Sequence, residues 1–169
     1  MPRLRGRLSD VRRVFFAFFW LAWVSTAVAA PADLVGGAAP SVRARALDGG
    51  GEVSLDDHRD RPVVLAFVAS WCGSCRRIAP ALRALAERHA SEGLVLLALS
   101  HEPRARLRRH APEMGLPLFQ CTGRTAVSYE ADAVPTLVLI DRARTVRFAG
   151  SGASALRGLR ASLTRVLER

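Results

Sequence analysis

The sequence predicts an α/β domain in which strands alternate with helices around a central sheet. Three short apolar runs, at 62–69, 94–99 and 135–140, have the composition of buried strands. After the first run, apolar side chains recur every three or four residues over 78–89, which indicates an amphipathic helix. This alternation favours a mostly parallel sheet with helices on both faces.

The first 30 residues have the pattern of an export signal. Arginines crowd residues 1–13, an apolar run follows at 14–28, and small residues come next. We therefore expect 1–30 to be a signal peptide cleaved near Ala29 or Ala30. Because the run is very apolar, the alternative is an uncleaved anchor in the inner membrane through 14–30. Both outcomes predict a periplasmic location.

The formal net charge of +10 is carried entirely by arginine, since the chain has no lysine. Part of this charge lies in the leader, where it orients insertion, and nucleic acid is not an expected partner of an exported domain. The densest cluster predicts either a solvated helix face or a docking patch for acidic lipids or a partner. Its members are Arg104, Arg106, Arg108 and Arg109.

Downstream of the leader, Gly, Ala and Pro content predicts a linker over 31–41, followed by one domain over 42–169. The turn Asp48-Gly49-Gly50-Gly51 predicts a hairpin between 42–47 and 52–55. The remaining elements are expected as follows: a helix over 72–90 kinked at Pro80, a helix from about Pro103 that stops before Pro112, strands at 116–121 and 145–149, a short helix at 125–131, and a final helix at 156–167 that Ser154 caps.

Two cysteines lie where the first strand gives way to the first helix, in Trp71-Cys72-Gly73-Ser74-Cys75. If Cys72 starts the helix, Cys75 lies one turn further on the same side, and their Cα atoms are roughly 5–6 Å apart, as a disulfide prefers. The helix N-terminus favours a thiolate, which is the species that attacks disulfides. The spacing therefore predicts a dithiol redox centre.

Other interpretations of this pair are a zinc site and an inert disulfide. A zinc site usually needs a second close pair of ligands, and only Cys121 and scattered histidines remain. A purely structural disulfide would close a very short loop, which constrains the unfolded chain little. Cys121 has no partner left, so we expect it to be unpaired.

These elements together resemble the thioredoxin superfamily and, within it, the exported TlpA/ResA-like thiol-disulfide oxidoreductases. Residues 67–76 resemble the active-site strand and helix of that branch, and 134–141 resemble its cis-proline strand. Residues 35–40 and 51–55 look like its N-terminal hairpin, and 103–121 like its inserted αβ element. The resemblance implies a thioredoxin-like fold with both additions.

The resemblance also implies roles for individual residues. Cys72 would be the exposed nucleophile and Cys75 the resolving thiol. Pro135 would be cis and face them, and the backbone of Val134 would pair with an extended substrate segment. Trp71 would shield the disulfide, although a packed aromatic residue is an equally good interpretation of its composition.

The expected activity is reduction of protein disulfides, as in cytochrome c maturation. Its partners would be protein thiol or disulfide substrates and a membrane electron donor. We expect a monomer without metal or organic cofactor. The alternatives are a peroxiredoxin-like peroxidase, whose usual pattern before the cysteine is not met, and a Sco-like copper-delivery protein, whose cysteines stand one residue further apart.

The sequence departs from the family at the active-site carboxylate. Ala66 and Ile78 occupy the positions at which thioredoxins or ResA-like proteins carry an acidic residue. Glu130 and Asp132, just before Val134, are the candidates to replace it. Without a carboxylate we expect the pKa of Cys72 to lie below the ~8.5 of a free cysteine, and resolution by Cys75 to be slow.

Overall fold

The structure, a computed structural model, describes residues 32–168, so the predicted leader lies outside the described residues. The strands are β1 Arg43–Ala46, β2 Glu52–Ser54, β3 Val63–Phe67, β4 Val95–Ser100, β5 Leu118–Cys121, β6 Thr136–Ile140 and β7 Val146–Ser151. The α-helices are α1 Gly73–Arg88, α2 Arg104–Met114, α3 Gly123–Ser128 and α4 Ala155–Leu167. Across 32–168, no helix is long and apolar enough to span a bilayer.

The described strands form one mixed sheet in the order β2-β1-β5-β4-β3-β6-β7. Only the pairs β3–β4 and β4–β5 are parallel within this range, and the other neighbours run antiparallel. The predicted mostly parallel sheet was therefore wrong. A continuous apolar run reports burial on both faces, which β3 and β6 share, and it carries no information about strand direction.

Helices cover both faces of the sheet, as predicted, but unequally. On what we call the first face, α1, α2 and α4 bury Ile78, Leu107 and Leu159 against the sheet. On the second face, α3 and the 3₁₀ turn Leu55–His58 cover a smaller core that includes Tyr129. Alternate residues of β3 serve the two cores because successive strand side chains point to opposite faces.

The predicted hairpin, inserted αβ element and final strand are all present, and the final strand β7 pairs antiparallel with β6. The end of α2 differs, because the helix passes through Pro112 to Met114. Pro112 lies in the last turn, where a missing N–H removes a single bond. Met114 is buried there, and Gly115 closes the helix in the left-handed conformation with its N–H donating to the Ala111 carbonyl. The stabilisation from burying Met114 therefore outweighs the loss of the hydrogen bond that Pro112 cannot donate.

Smaller differences concern other helices. The short helix lies earlier than predicted, at Gly123–Ser128, because the Thr122 side chain accepts from the Thr125 N–H and starts it there. α1 continues through Pro80, so the kink stays a prediction. Ser154 occupies the cap position of α4, but its side chain makes no capping hydrogen bond.

In the part of the predicted linker 31–41 that the structure describes, the backbone packs against the domain. Residues Ala32–Leu34 form a 3₁₀ turn. Beyond it the Gly36 N–H donates to the Val146 carbonyl, and the Ala39 N–H donates to the Arg144 carbonyl, each at 2.8 Å. Glycine and proline predict irregular backbone, but they do not indicate whether that backbone packs against the rest of the domain. Here it covers the edge strand β7.

Candidate active site

Cys72 and Cys75 form a disulfide at the N-terminus of α1, with Cα atoms 5.2 Å apart, as their spacing predicted. Cys72 is the N-cap residue and Cys75 lies in the first turn. Cys75 is fully buried and Cys72 is 3% exposed. Cys75 is thus the more buried, as expected, whereas the description of Cys72 as exposed is wrong for the disulfide form.

The sulfur of Cys72 lies among hydrogen-bond donors. The Cys75 backbone N–H donates to Cys72 Sγ at 3.0 Å, and Ser74 Oγ lies 3.3 Å from the same sulfur. Helix N-termini leave such N–H groups without partners inside the helix, and they stabilise negative charge. The local geometry is therefore suited to a thiolate at Cys72 once the disulfide is reduced.

The Val134–Pro135 peptide bond is cis, as the resemblance implied. Thr136 pairs with Phe67, so Pro135 enters β6 at the end of the sheet from which the Cys72 loop leaves β3. Val134 packs against the first-face core, which includes both cysteines of the disulfide. The fold thus brings the disulfide and the cis-proline to one edge of the molecule.

Trp71 is 67% exposed beside the disulfide. It is therefore not a packed core aromatic residue, which was one of the two interpretations of it. Shielding of the disulfide by part of its ring stays a prediction. With Ser70 and Arg76, Trp71 borders an open groove on this side of the molecule.

The positions without a carboxylate are apolar in the structure as well. Ala66 is fully buried and Ile78 nearly so, both within the first-face core. Glu130 and Asp132, the candidate replacements, are exposed. Their role in proton transfer stays a prediction.

Glu102 is a buried carboxylate near the disulfide that the sequence reasoning missed. It is 8% exposed and accepts two hydrogen bonds from Ser70, at 2.6 Å from the N–H and 2.8 Å from Oγ. Arg76 Nη1 donates to the Ser70 carbonyl at 2.8 Å, and Arg106 Nη1 lies 3.9 Å from Glu102 Oε1. Glu102 therefore ties the loop after β4 to the loop that carries Cys72.

A signal for Glu102 existed in the sequence. It follows the apolar run at 94–99 by a few residues, as Ser70 follows the run at 62–69. Polar residues just after neighbouring parallel strands meet at one edge of a sheet, where sites in α/β folds gather. The two runs needed to be recognised as adjacent parallel strands, which β3 and β4 are.

Cys121 is unpaired, as predicted, and it is buried. It ends β5 in the second-face core, and burial raises the pKa of Cys121 to about 11. Among residues 32–168, no three His, Cys, Asp or Glu side chains cluster so as to hold a metal ion.

A buried strand followed by a helix that begins at a Cys-x-x-Cys pair, together with a strand that begins after a cis-proline, is the pattern of a thioredoxin-like fold. The thioredoxin domain of a thiol-disulfide oxidoreductase from Bacteroides vulgatus matches with a TM-score of 0.66, at 19% identity, over 76% of this chain and 96% of that one. At this identity, the match establishes the fold alone.

Residues 35–149, more than half of the chain, match the AhpC/TSA family, and the chain belongs to that family. It is also similar to the thiol-disulfide oxidoreductase ResA of Geobacillus thermodenitrificans, with 30% identity over 112 residues and 64% of each chain. ResA of Geobacillus kaustophilus is 30% identical over 97 residues, which are 55% of this chain and 56% of that protein. The match therefore spans less than two thirds of these curated relatives. The predicted similarity to ResA-like proteins is confirmed.

Proposed function

We propose that this protein is a thiol-disulfide oxidoreductase that exchanges its Cys72–Cys75 pair with the thiols and disulfides of protein substrates. The observation that carries the proposal is the disulfide at the N-terminus of α1, at the same end of the sheet as the cis Val134–Pro135 bond. Similarity to two ResA proteins supports it. No metal or organic cofactor takes part in the proposed chemistry.

Exchange passes through a mixed disulfide. The thiolate of reduced Cys72 attacks one sulfur of the substrate disulfide, and the other substrate sulfur leaves as a thiolate. Cys75, as thiolate, then attacks Cys72 Sγ and releases the second substrate sulfur. Two electrons pass to the substrate, which gains two protons to become a dithiol, and the Cys72–Cys75 disulfide is regenerated. Oxidation of a substrate dithiol is the reverse sequence.

Other residues of the site would position the reactants. The Cys75 N–H and the Ser74 hydroxyl hold negative charge on Cys72 Sγ. The backbone at Val134 would pair with an extended substrate segment, and the exposed ring of Trp71 would pack on it. These roles follow from placement at the same edge of the sheet.

We further propose that the protein works outside the cytoplasm as a reductant, in the manner of cytochrome c maturation reductants. The leader-like pattern of residues 1–30 supports export, by cleavage or by anchoring, and residues 42–169 with the preceding turn would form the monomeric exported domain. An oxidising compartment would leave the pair as a disulfide. A reductant there needs a membrane electron donor.

The test has two parts. The full chain should catalyse dithiothreitol-dependent reduction of insulin. A Cys75→Ala variant should accumulate substrate proteins disulfide-linked to Cys72, because the resolving thiol is absent. Cys121→Ala is the matched control and should reduce insulin at the wild-type rate. Absence of both turnover and trapped substrates, or stoichiometric copper binding in their place, would overturn the proposal.

A further inference from the structure

The arginines of α2 divide into two pairs with different surroundings. Arg104 Nη2 donates to the Ala46 carbonyl at 2.7 Å, and Arg108 Nε donates to the Leu47 carbonyl at 3.1 Å. This pair holds the β1–β2 hairpin against α2. Arg106 and Arg109, which are exposed like Arg108, instead line the groove beside the disulfide. The hairpin therefore accounts for only half of the basic cluster.

The groove is open and has a volume of about 730 Å³. One wall comes from the disulfide loop and the start of α1, and the other comes from α2. Its basic and aromatic side chains are Trp71, Arg76, Arg106, Arg109 and His110. The rim also carries Glu113, whose carboxylate lies 3.3 Å from His110 Nδ1. Positive charge thus dominates a concave surface that begins one residue before Cys72.

We propose that this groove binds an acidic segment of the polypeptide substrate, adjacent to the substrate's disulfide. The inference rests on the function proposed above and names the class of substrate. Arginine guanidinium groups pair with carboxylates through planar, bidentate contacts, and a positively charged cleft raises the association rate of an acidic partner. An exposed tryptophan next to the reactive pair supplies apolar contact area.

A polypeptide fits the groove better than a membrane does. The basic side chains lie in a concavity beside the disulfide, where an extended chain can reach them while its sulfur meets Cys72. A lipid surface, in contrast, would contact a convex or flat basic face. Anionic lipid is therefore an outcome of the test rather than the proposed occupant.

Arg106 and Arg109 are the residues to change, because Arg76 also donates to the Ser70 carbonyl and so holds the loop. The double variant is Arg106→Glu, Arg109→Glu. Its matched control is Arg157→Glu, Arg160→Glu, on exposed positions of α4 at the other end of the first face. Both variants change the net charge equally. Arg109→Glu alone keeps Arg106 beside Glu102, in case the double variant disturbs that contact.

The substrates are two synthetic peptides with the same disulfide loop, flanked by three aspartates or by three lysines. We expect the full chain to reduce the acidic peptide with a kcat/KM about tenfold higher, and the difference to shrink with added salt. The double variant should lose or invert the preference, Arg109→Glu should weaken it, and the α4 control should keep it. Hydroxyethyl disulfide, which is small and neutral, should be reduced equally by the wild type and the α4 control, and its rate in each groove variant is the reference against which that variant's peptide rates are compared.

Equal kcat/KM for the two peptides, or the same loss in the α4 control, would overturn the groove assignment while leaving the proposed function intact. Failure of the wild type to reduce even hydroxyethyl disulfide would overturn the proposed function instead. In that case fluorescence anisotropy of the labelled acidic peptide tests whether the groove binds it. The groove assignment would then be refuted if the peptide did not bind, or if its binding were the same in the double variant. It would also be refuted if Arg106 and Arg109 mediated binding to phosphatidylglycerol vesicles while the protein showed no preference for the acidic peptide.

Discussion

The protein buries cysteine on both faces of its sheet, yet only one of the two surroundings suits sulfur exchange. Cys72 and Cys75 are 3% and 0% exposed, and Cys121 is 6% exposed, so exposure does not separate them. Cys72 Sγ accepts a hydrogen bond from the Cys75 N–H at the start of α1. Cys121 lies in an apolar core where burial raises its pKa to about 11. A place at the N-terminus of a helix, rather than access to solvent, distinguishes Cys72 from Cys121.

The polar contacts near each core show the same contrast. Beside the disulfide, buried Glu102 binds Ser70 and links two loops at the active edge. Within the second face, the Tyr129 hydroxyl donates to the Pro40 carbonyl, and its ring lies 5.5 Å from that of Phe67. The first contact orders loops around a reactive group, whereas the second closes a core. We therefore expect equal perturbations on the two faces to have different consequences.

The largest difference should appear on removing a thiol from each face. Cys72→Ala should lower the rate of insulin reduction by at least about a thousandfold, because no nucleophile remains at the helix N-terminus. Cys121→Ala should leave the rate within about twofold, since its thiol stays protonated at working pH. Comparable losses of insulin-reduction rate in the two variants would show that Cys121 is a third redox residue. The two faces of the sheet would then not differ in their redox role.

The next effect is on thiol reactivity. In a Cys72→Ala, Cys75→Ala protein, iodoacetamide should modify Cys121 at pH 8 on the order of a hundred times more slowly than a free cysteine, because a pKa of about 11 leaves little thiolate. The rate should rise to the free-thiol value in denaturant, which is the internal control. Fast modification of the folded protein would mean that Cys121 is not held in the buried state.

Glu102→Gln tests whether the loop contact serves the chemistry. The amide keeps the shape but weakens the charge-assisted bonds from Ser70, so we expect unfolding to become easier by about 1–2 kcal/mol. We also expect a roughly fivefold lower kcat for hydroxyethyl disulfide, as a misplaced reactive group costs rate. Both quantities come from chemical denaturation and steady-state kinetics.

Tyr129→Phe is the matched control on the second face. It leaves the Pro40 carbonyl without its donor and should destabilise by a similar amount of about 1–2 kcal/mol. Its kcat should stay at the wild-type value. A lower kcat in both variants would mean that Glu102 acts through stability alone and is not a positioning residue.

The smallest effect concerns pH and the second face. Burial, and next the charge of Arg61, lower the pKa of His58 from its ordinary 6.5. The folded protein therefore binds fewer protons here than the unfolded chain, so this group's contribution to stability is present above pH 6.5 and is lost as the pH falls toward the lowered value. In His58→Gln, the fall in denaturation midpoint below pH 6.5 should be shallower than in wild type. Parallel curves would refute the assignment.

Features that depend on neighbouring residues could be predicted from the sequence. The run at 62–69, the spacing of Cys72 and Cys75, and the helical pattern that follows were enough to place the disulfide at the start of a helix. Resemblance to known sequences added the cis bond before Pro135. Each of these depends on a few consecutive residues, whose periodicity or motif reports the local backbone directly.

Tertiary structure decided the features that need distant residues to meet. Glu102 and Ser70 are 32 positions apart and bind only because β3 and β4 are parallel neighbours. The four arginines of α2 look alike in sequence, yet two of them donate hydrogen bonds to carbonyls of the hairpin and the other two line the groove. Strand direction was mistaken for a similar reason, since an apolar run is buried equally well in either orientation. Composition and spacing determine what a segment can form, whereas packing determines which side chains it meets.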